Sequence, residues 1–104
     1  MKRCEIRWYR FSRPDKNRPV LLLTRDSVLD VLGEVTVAPI TTTVRDIPSE
    51  VLLSKDQDGM PHDCVINLDH IQTASKAKVG ALITSLTRKK MSEVRDALLF
   101  ALGF

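Results

Sequence analysis

The sequence predicts an α+β fold, a small curled antiparallel β-sheet with a C-terminal helix packed on it. Three observations carry that expectation. Short β-branched and aliphatic runs recur through residues 4–84, separated by Pro-, Gly-, Asp- and Asn-containing breaks. At the end of the chain the apolar period changes to a helical one. A chain of 104 residues, 43% hydrophobic and 28% charged, supports one core but not two, so residues 1–104 form a single domain.

The elements follow in order. In "CEIRWYR", residues 4–10, Ile6 and Trp8 alternate with charged residues, which suggests a half-exposed strand with Trp8 in the core. "FSRPDKN" then supplies Pro14, Asp15 and Asn17, so residues 11–18 are expected to be a polar loop. "PVLLLT" is a continuous apolar run too short for a helix, and its leading proline suits the start of a strand. "SVLDVLGE" fits one helical turn stopped by Gly33. "EVTVAPI", residues 34–40, is β-branched, with Pro39 suggesting an edge or a bulge. "SEVLL", residues 49–53, reads as another strand, and "SKDQDGMPHD", residues 54–63, as a loop. "CVINL" and "AKVGALIT" are two more strands around an irregular "DHIQTASK", giving five or six in all. In "TRKKMSEVRDALLFALGF", Met91, Val94, Leu98 and Leu102 share one helical face with Ala97 and Ala101. Thr87 is the expected N-cap and Gly103 the expected stop.

Composition narrows the function. No apolar run reaches the ~20 residues of a membrane helix, and "MKRCEIRWYR" lacks the apolar core of a signal peptide. A cytoplasmic protein without membrane contact is expected. Cys4 and Cys64 stand alone, without CxxC or neighbouring ligand sets, and read as small buried hydrophobes. There is no P-loop, GxGxxG, HExxH or GxSxG motif. The net charge of +3 is unevenly spread: residues 1–25 hold eight basic and two acidic side chains, whereas residues 26–104 hold eight basic and eleven acidic ones. Such a local excess attracts a polyanion.

Several residues could do chemistry. Arg18 has the planar, permanently charged donor set that suits a phosphate, and equally it could be a loop residue paired with Asp15 or Asp26. Thr41, Thr42 and Thr43 follow an apolar strand, where their hydroxyls can bond the backbone of a turn or donate to a phosphate oxygen. If the strands carrying "PVLLL" and "VTVAPI" pair antiparallel, Arg18 and Thr41 meet at one rim of the sheet. His62 beside Asp63 reads as solvated, while His70 in "LDHIQT" is either a ligand contact or a hydrogen-bonded structural histidine. Glu50, Asp63 and Asp69 lack the spacing of a metal cage, so no metal and no cofactor is expected. Phe11, in the basic segment, could stack a nucleobase.

Taken together, five stretches resemble the MazF/PemK family of toxin endoribonucleases, over nearly the whole chain. "RCEIRWYRFSRP" is similar to the family's opening strand and loop. "NRPVLLLTRD" is similar to its R-P-[AV]-L strand. "VTVAPITTTVRDIPSEVLL" matches a strand, an I-T-[ST] turn and P-[ST]-E-V. "HDCVINLDHIQTASKAKVGALITSL" resembles R-D-S-V-[IV]-x-x-[DE]-Q-[IV]-R-T and the strand after it, and "MSEVRDALLFALGF" resembles the closing helix. Cys4 and Glu5 stand for the family's Gly and Asp, His62 and Cys64 for Arg and Ser, and His70 for a frequent Gln.

The resemblance implies an SH3-like barrel of the CcdB/MazF/PemK type. It also implies a homodimeric, metal-independent ribonuclease that cuts single-stranded RNA, chiefly mRNA, at short sequences. A cognate MazE-like antitoxin, lying across the dimer groove, would restrain it. Carried over residue by residue, Arg18 and Thr41 are the catalytic pair. Phe11, Arg13, Lys16, Asn17, Thr42, Thr43, His70 and Gln72 would contact RNA. The alternative is a non-catalytic relative: the CcdB toxins share the small fold, bind a protein and cleave nothing, and a nucleic-acid-binding module of the same fold is a further possibility.

Overall fold

A computed structural model describes residues 1–11 and 16–104. The described residues form seven strands and three helices: β1 (Glu5–Phe11), β2 (Lys16–Leu22), α1 (Asp26–Leu29), β3 (Glu34–Thr41), β4 (Glu50–Leu53), α2 (Lys55–Asp58), β5 (Cys64–Asn67), β6 (Gln72–Ser75), β7 (Val79–Ser85) and α3 (Arg88–Leu102). Two 3₁₀ turns, Leu68–His70 and Lys76–Lys78, flank β6. The strand order is β4-β5-β3-β2-β1-β7, with β6 also pairing β3, and every pairing is antiparallel. The result is a curled half-barrel with α3 against it, as the sequence predicts.

The continuous apolar character of "PVLLL" has a direct cause: β2 and β3 are covered on both faces. On one face Ile6, Leu21, Ala38, Ile40 and Ile66 join Val51, Leu53 and Leu68 beneath Val94 and Ala97 of α3. On the other, Val20, Leu22, Val35 and Val37 pack with Tyr9 and Leu29, and Phe11, Ala74 and Val79 close the edge. Alternate residues therefore serve alternate cores, and neither set tolerates a polar substitution.

Pro39 is not at an edge. It lies in the central strand, where its missing N–H marks a change of partners. The β2–β3 ladder ends at Val20↔Pro39, and on the far side β3 passes from β6, paired through Val37, to β5, paired from Ile40. The expected polar loop at 11–18 is also shorter than the sequence suggests: Phe11 ends β1, and Lys16, Asn17 and Arg18 already pair with β1. Cross-strand hydrogen bonding overrides the turn propensity of Asn17. Within 54–63 the expected loop contains α2, because Ser54 Oγ accepts Gln57 N–H and Gly59 closes the turn at φ 74°. The irregular "DHIQTASK" contains β6, whose polar strand escapes detection because only Ala74 packs inward.

The helix ends agree with expectation. Thr87 Oγ1 accepts Lys90 N–H at 3.1 Å, and Gly103 takes φ 79°. Of the expected apolar stripe Val94 and Ala97 are buried, whereas Leu102 is exposed. Lys90, unfavourable at a helix start on dipole grounds, donates to the Leu52 carbonyl and sits near Asp58 and Glu93. Cys64 is buried, and that burial, with Asp63 and Asp58 nearby, pushes its thiol up to about 11. Cys4 is only half-buried. No helix of the described residues is long and apolar enough to cross a membrane.

Thr87→Ala removes the acceptor for a helix-end N–H and is expected to lower unfolding free energy by about 1 kcal/mol, with an unchanged m-value in urea. Urea denaturation followed by circular dichroism checks it; an unchanged midpoint would mean that α3 needs no cap.

Candidate nucleic-acid interface

The register of the three central strands sets the geometry. Tyr9 pairs with Arg18, and Val20 with Pro39. Continuing that register two residues beyond the last pair brings Arg18 opposite Thr41. Because side chains alternate, both residues share the face of Val20, Leu22, Val35 and Val37, at the rim where the buried cluster gives way to solvent. Arg18 is exposed and Thr41 half-buried. That continuation agrees with the rim meeting expected from the sequence, although the β2–β3 ladder itself stops at Val20↔Pro39.

Thr41 is held at both ends. Its backbone pairs with Val65 of β5, and its Oγ1 accepts Thr43 N–H at 3.2 Å, which leaves the hydroxyl proton free to donate outward. Thr42 and Thr43 are exposed on the turn. Among the described residues, the Arg18 side chain makes no hydrogen bond or ion pair, and the residue is exposed at the rim; Asp26 is occupied instead by the Arg3 backbone N–H.

The same face continues across the sheet. Thr41 pairs with Val65 and Val65 with Leu52; one row inward, Asn67 pairs with Glu50; Gln72 pairs with Val37. His70 sits on the 3₁₀ turn between β5 and β6, with its Nδ1 3.3 Å from Asn67 Nδ2. The structure thus brings Arg18, Thr41, Lys16, His70 and Gln72 to one side of the molecule. Asn17, one residue out of phase with Arg18, belongs to the opposite face, where it lines a cavity with Trp8 and Arg10. Phe11 is half-buried, edge-on to Tyr9 at 4.8 Å between ring centres. Arg13 lies outside the described residues. His62 is exposed. Among the described residues, no three His, Cys, Asp or Glu side chains converge in a way that could hold a metal ion.

Two residues that the sequence offers only as part of a motif prove structural to the site. Glu50 Oε1 accepts the N–H groups of Arg45 and Asp46 at 2.9 and 3.1 Å, and Glu50 N–H bonds the Ile47 carbonyl at 3.0 Å. This clamps the turn that follows the threonines, including Asp46 at φ 58°, a left-handed conformation that a non-glycine residue adopts only when held. Ser49 is buried and donates to Asp69 Oδ2 at 2.5 Å, while Asn67 Oδ1 accepts Asp69 N–H at 3.0 Å. Ser49 and Asn67 therefore brace the turn that carries His70. The available signal was "PSEV": a serine and a carboxylate between a proline and an apolar run suit a loop clamp.

Comparison with known proteins gives a consistent result. The family model described as PemK-like, MazF-like toxin of type II toxin-antitoxin system matches residues 2–102. A probable endoribonuclease, MazF2 of Mycobacterium tuberculosis, is 37% identical over 103 residues, 99% of each chain. Among solved structures, the M. tuberculosis toxin MazF-mt6 matches with a TM-score of 0.87 at 34% identity, over 96% of this chain and 97% of that one. A mycobacterial endoribonuclease in complex with its cognate antitoxin has the same fold, with a TM-score of 0.89 at 24% identity over 100% and 96% of the two chains.

Glu50→Ala should free the Arg45 and Asp46 amides. Their hydrogen exchange is expected to quicken by about fivefold or more, the loss of about 1 kcal/mol of local hydrogen bonding, while core amides of β2 and β3 are unchanged. Uniform acceleration across the sheet would show that Glu50 supports the whole fold and not this turn.

Proposed function

The chain belongs to the PemK-like, MazF-like toxin family of type II toxin–antitoxin systems, and on that premise we propose that it is a sequence-specific, metal-independent endoribonuclease acting on single-stranded RNA, chiefly mRNA, with Arg18 and Thr41 as its catalytic pair. The observation that supports this reading is the β2–β3 register, which, continued two residues past Val20↔Pro39, puts an exposed guanidinium opposite an anchored hydroxyl at one rim of the sheet.

The chemistry follows from those two groups. The ribose 2′-oxygen attacks the neighbouring phosphorus, forming a new P–O bond and a 2′,3′-cyclic phosphate. The bond to the 5′-oxygen breaks, and the proton lost by the 2′-oxygen is matched by the one gained by the 5′-hydroxyl. DNA lacks the nucleophile and is refused. Negative charge grows on the non-bridging oxygens at the phosphorane. Arg18 compensates that charge with a planar donor set, and Thr41 donates its free hydroxyl proton to one of those oxygens. Lys16 on the same face supplies sequence-independent phosphate attraction, and His70 and Gln72 are available to base edges.

The row from Arg18 through Thr41 and Val65 ends at Leu52, which is 60% exposed, with Val44 and Ile47 also exposed. Covering these side chains with a second copy extends the groove across a two-fold axis, which favours a homodimer with RNA bound along the interface. A basic groove of this kind equally suits an acidic, partly disordered segment of a MazE-like antitoxin, which then competes with RNA.

Arg18→Ala and Thr41→Ala are each expected to reduce cleavage by about 10² to 10³ with the fold intact, since each removes a transition-state donor. Thr43→Ala acts more mildly, because it keeps the N–H that bonds Thr41. Wild-type rates in a folded Arg18→Ala protein would refute the assignment. Cleavage in EDTA, with fragments ending in 2′,3′-cyclic phosphate, is the matching expectation, and dependence on added magnesium would overturn it. Antitoxin peptide titrated against labelled 2′-O-methyl RNA at two salt concentrations should displace it, with association slowing as salt rises. Simultaneous, independent binding would exclude a shared groove.

A further inference from the structure

The reverse face of the β1–β2 pair holds a second constellation suited to nucleic acid. Trp8, Arg10 and Asn17 line a cavity of about 650 Å³ there, closed on the other side by Lys78, Val79, Gly80 and Ala81. Sequence reasoning assigns Trp8 to the core, yet it is only half-buried.

The cause is a bulge. Arg7 pairs with Leu82 and Tyr9 with Val79, so two residues of β7, Gly80 and Ala81, oppose the single residue Trp8. Both are small, and they leave the indole uncovered where larger neighbours would pack over it. A Cβ at Gly80 would lie in ordinary contact with Trp8, 3.4 Å from its carbonyl oxygen and 3.7 Å from its Cβ. The bulge is fixed by Arg7, whose Nη1 donates to the Gly80 carbonyl at 3.0 Å and whose Nε pairs with Glu5 at 2.8 Å. Burial works against ionisation of Glu5, but the Arg7 guanidinium and the Lys2 N–H outweigh it and hold the carboxyl below its usual range.

The cavity's charge is of one sign. Arg10 and Lys78 are both exposed, and no Asp or Glu lines it among the described residues. Lys78 is positioned by the 3₁₀ turn that Ser75 caps and that Lys76 ties to the Leu29 carbonyl. A half-exposed indole that shares a cavity with two cations and a side-chain amide matches a nucleotide: the base stacks on the ring, the phosphates meet the cations, and the amide reaches a base edge.

We propose that Trp8, Arg10, Asn17 and Lys78 form a nucleotide subsite, on the face opposite Arg18, that holds RNA outside the cleaved phosphodiester. It rests on the ribonuclease reading and deepens it. Asn17 and Arg18 are consecutive, about 3.4 Å apart along β2, and their side chains leave opposite faces, so one RNA strand long enough to reach both faces of the sheet meets both. The subsite lengthens the footprint beyond the bases that Arg18 and Thr41 address.

Trp8 is the chain's only tryptophan, so its fluorescence reports on this cavity alone. A mixed-sequence 2′-O-methyl RNA dodecamer, which cannot be cleaved, is titrated against the wild type, Trp8→Phe, Gly80→Val and the Arg10→Ala/Lys78→Ala double variant. Binding is followed by anisotropy of a labelled end, with circular dichroism confirming each fold. Saturable quenching of wild-type Trp8 is expected. The double variant should bind about tenfold more weakly, and its slope of log K against log salt should be shallower by about 1.4, for two phosphate contacts to a single strand. Gly80→Val keeps both cations and should abolish quenching by filling the cavity. Wild-type affinity in both Gly80→Val and the double variant, with no quenching in the wild type, overturns the subsite. If the wild type still cleaves unmodified RNA in that case, the ribonuclease reading stands without it; if the wild type neither binds nor cleaves RNA, both fall.

Discussion

The site depends on the pairing of β2 with β3. Both strands are buried on both faces, so a one-residue slip would exchange the two cores and place Leu21 and Ala38 where Val20 and Pro39 belong. That penalty fixes the register. A fixed register determines which residues lie opposite each other just beyond the ladder, where pairing stops. Pro39, without an N–H, ends the ladder at Val20, and Arg18 and Thr41 are the first residues of matching phase past that point. The position of the candidate chemistry is thus a consequence of core packing, and neither the Arg18 nor the Thr41 side chain belongs to the two cores that fix the register.

The strands that carry Arg18 and Thr41 were legible because they announce themselves: a proline followed by aliphatics, and a β-branched run ending in threonines. The rim pairing needed only the assumption that those strands are antiparallel neighbours. Of the braces, "PSEV" signalled a loop clamp but not its partners. Glu50 reaches back to Arg45 and Asp46 through a turn whose left-handed residue is an aspartate, so no glycine flags it. Ser49 and Asp69 are twenty positions apart and meet only because β4 and β5 pair. β6 was missed for a similar reason: Gln72, Thr73 and Ser75 have no apolar period, and the strand exists because β3 offers it an edge. Trp8 shows the converse. Alternation located its strand correctly, but its exposure depends on a bulge in a partner more than seventy residues away.

Charge is arranged by the same parity. The excess of basic residues in positions 1–25 falls on β1, β2 and their surroundings, and the twofold period of a strand divides it between faces. Lys16 and Arg18 go to the rim beside Thr41; Arg10 goes to the face of Trp8, where Lys78 joins it from the far end of the chain. A hairpin charged on both sides acts differently from a single basic patch. It attracts a polyanion without fixing the side on which that polyanion settles, and selectivity has to come from the uncharged groups on each face.

On the Thr41 face those groups are hydroxyls and amides, which need a fixed geometry to discriminate. There the clamp by Glu50 matters most. A carboxylate near a phosphate site would repel the ligand if its charge were free. Here one oxygen is spent on two backbone N–H groups, and the other is enclosed. Its bonded oxygen serves the turn, and the hydrogen bonds it accepts are stronger for being charge-assisted. The turn after Thr43 is therefore held by a carboxylate on the face that Lys16 and Arg18 share. The same carboxylate that would repel a polyanion from an exposed position instead holds the turn that follows the threonines.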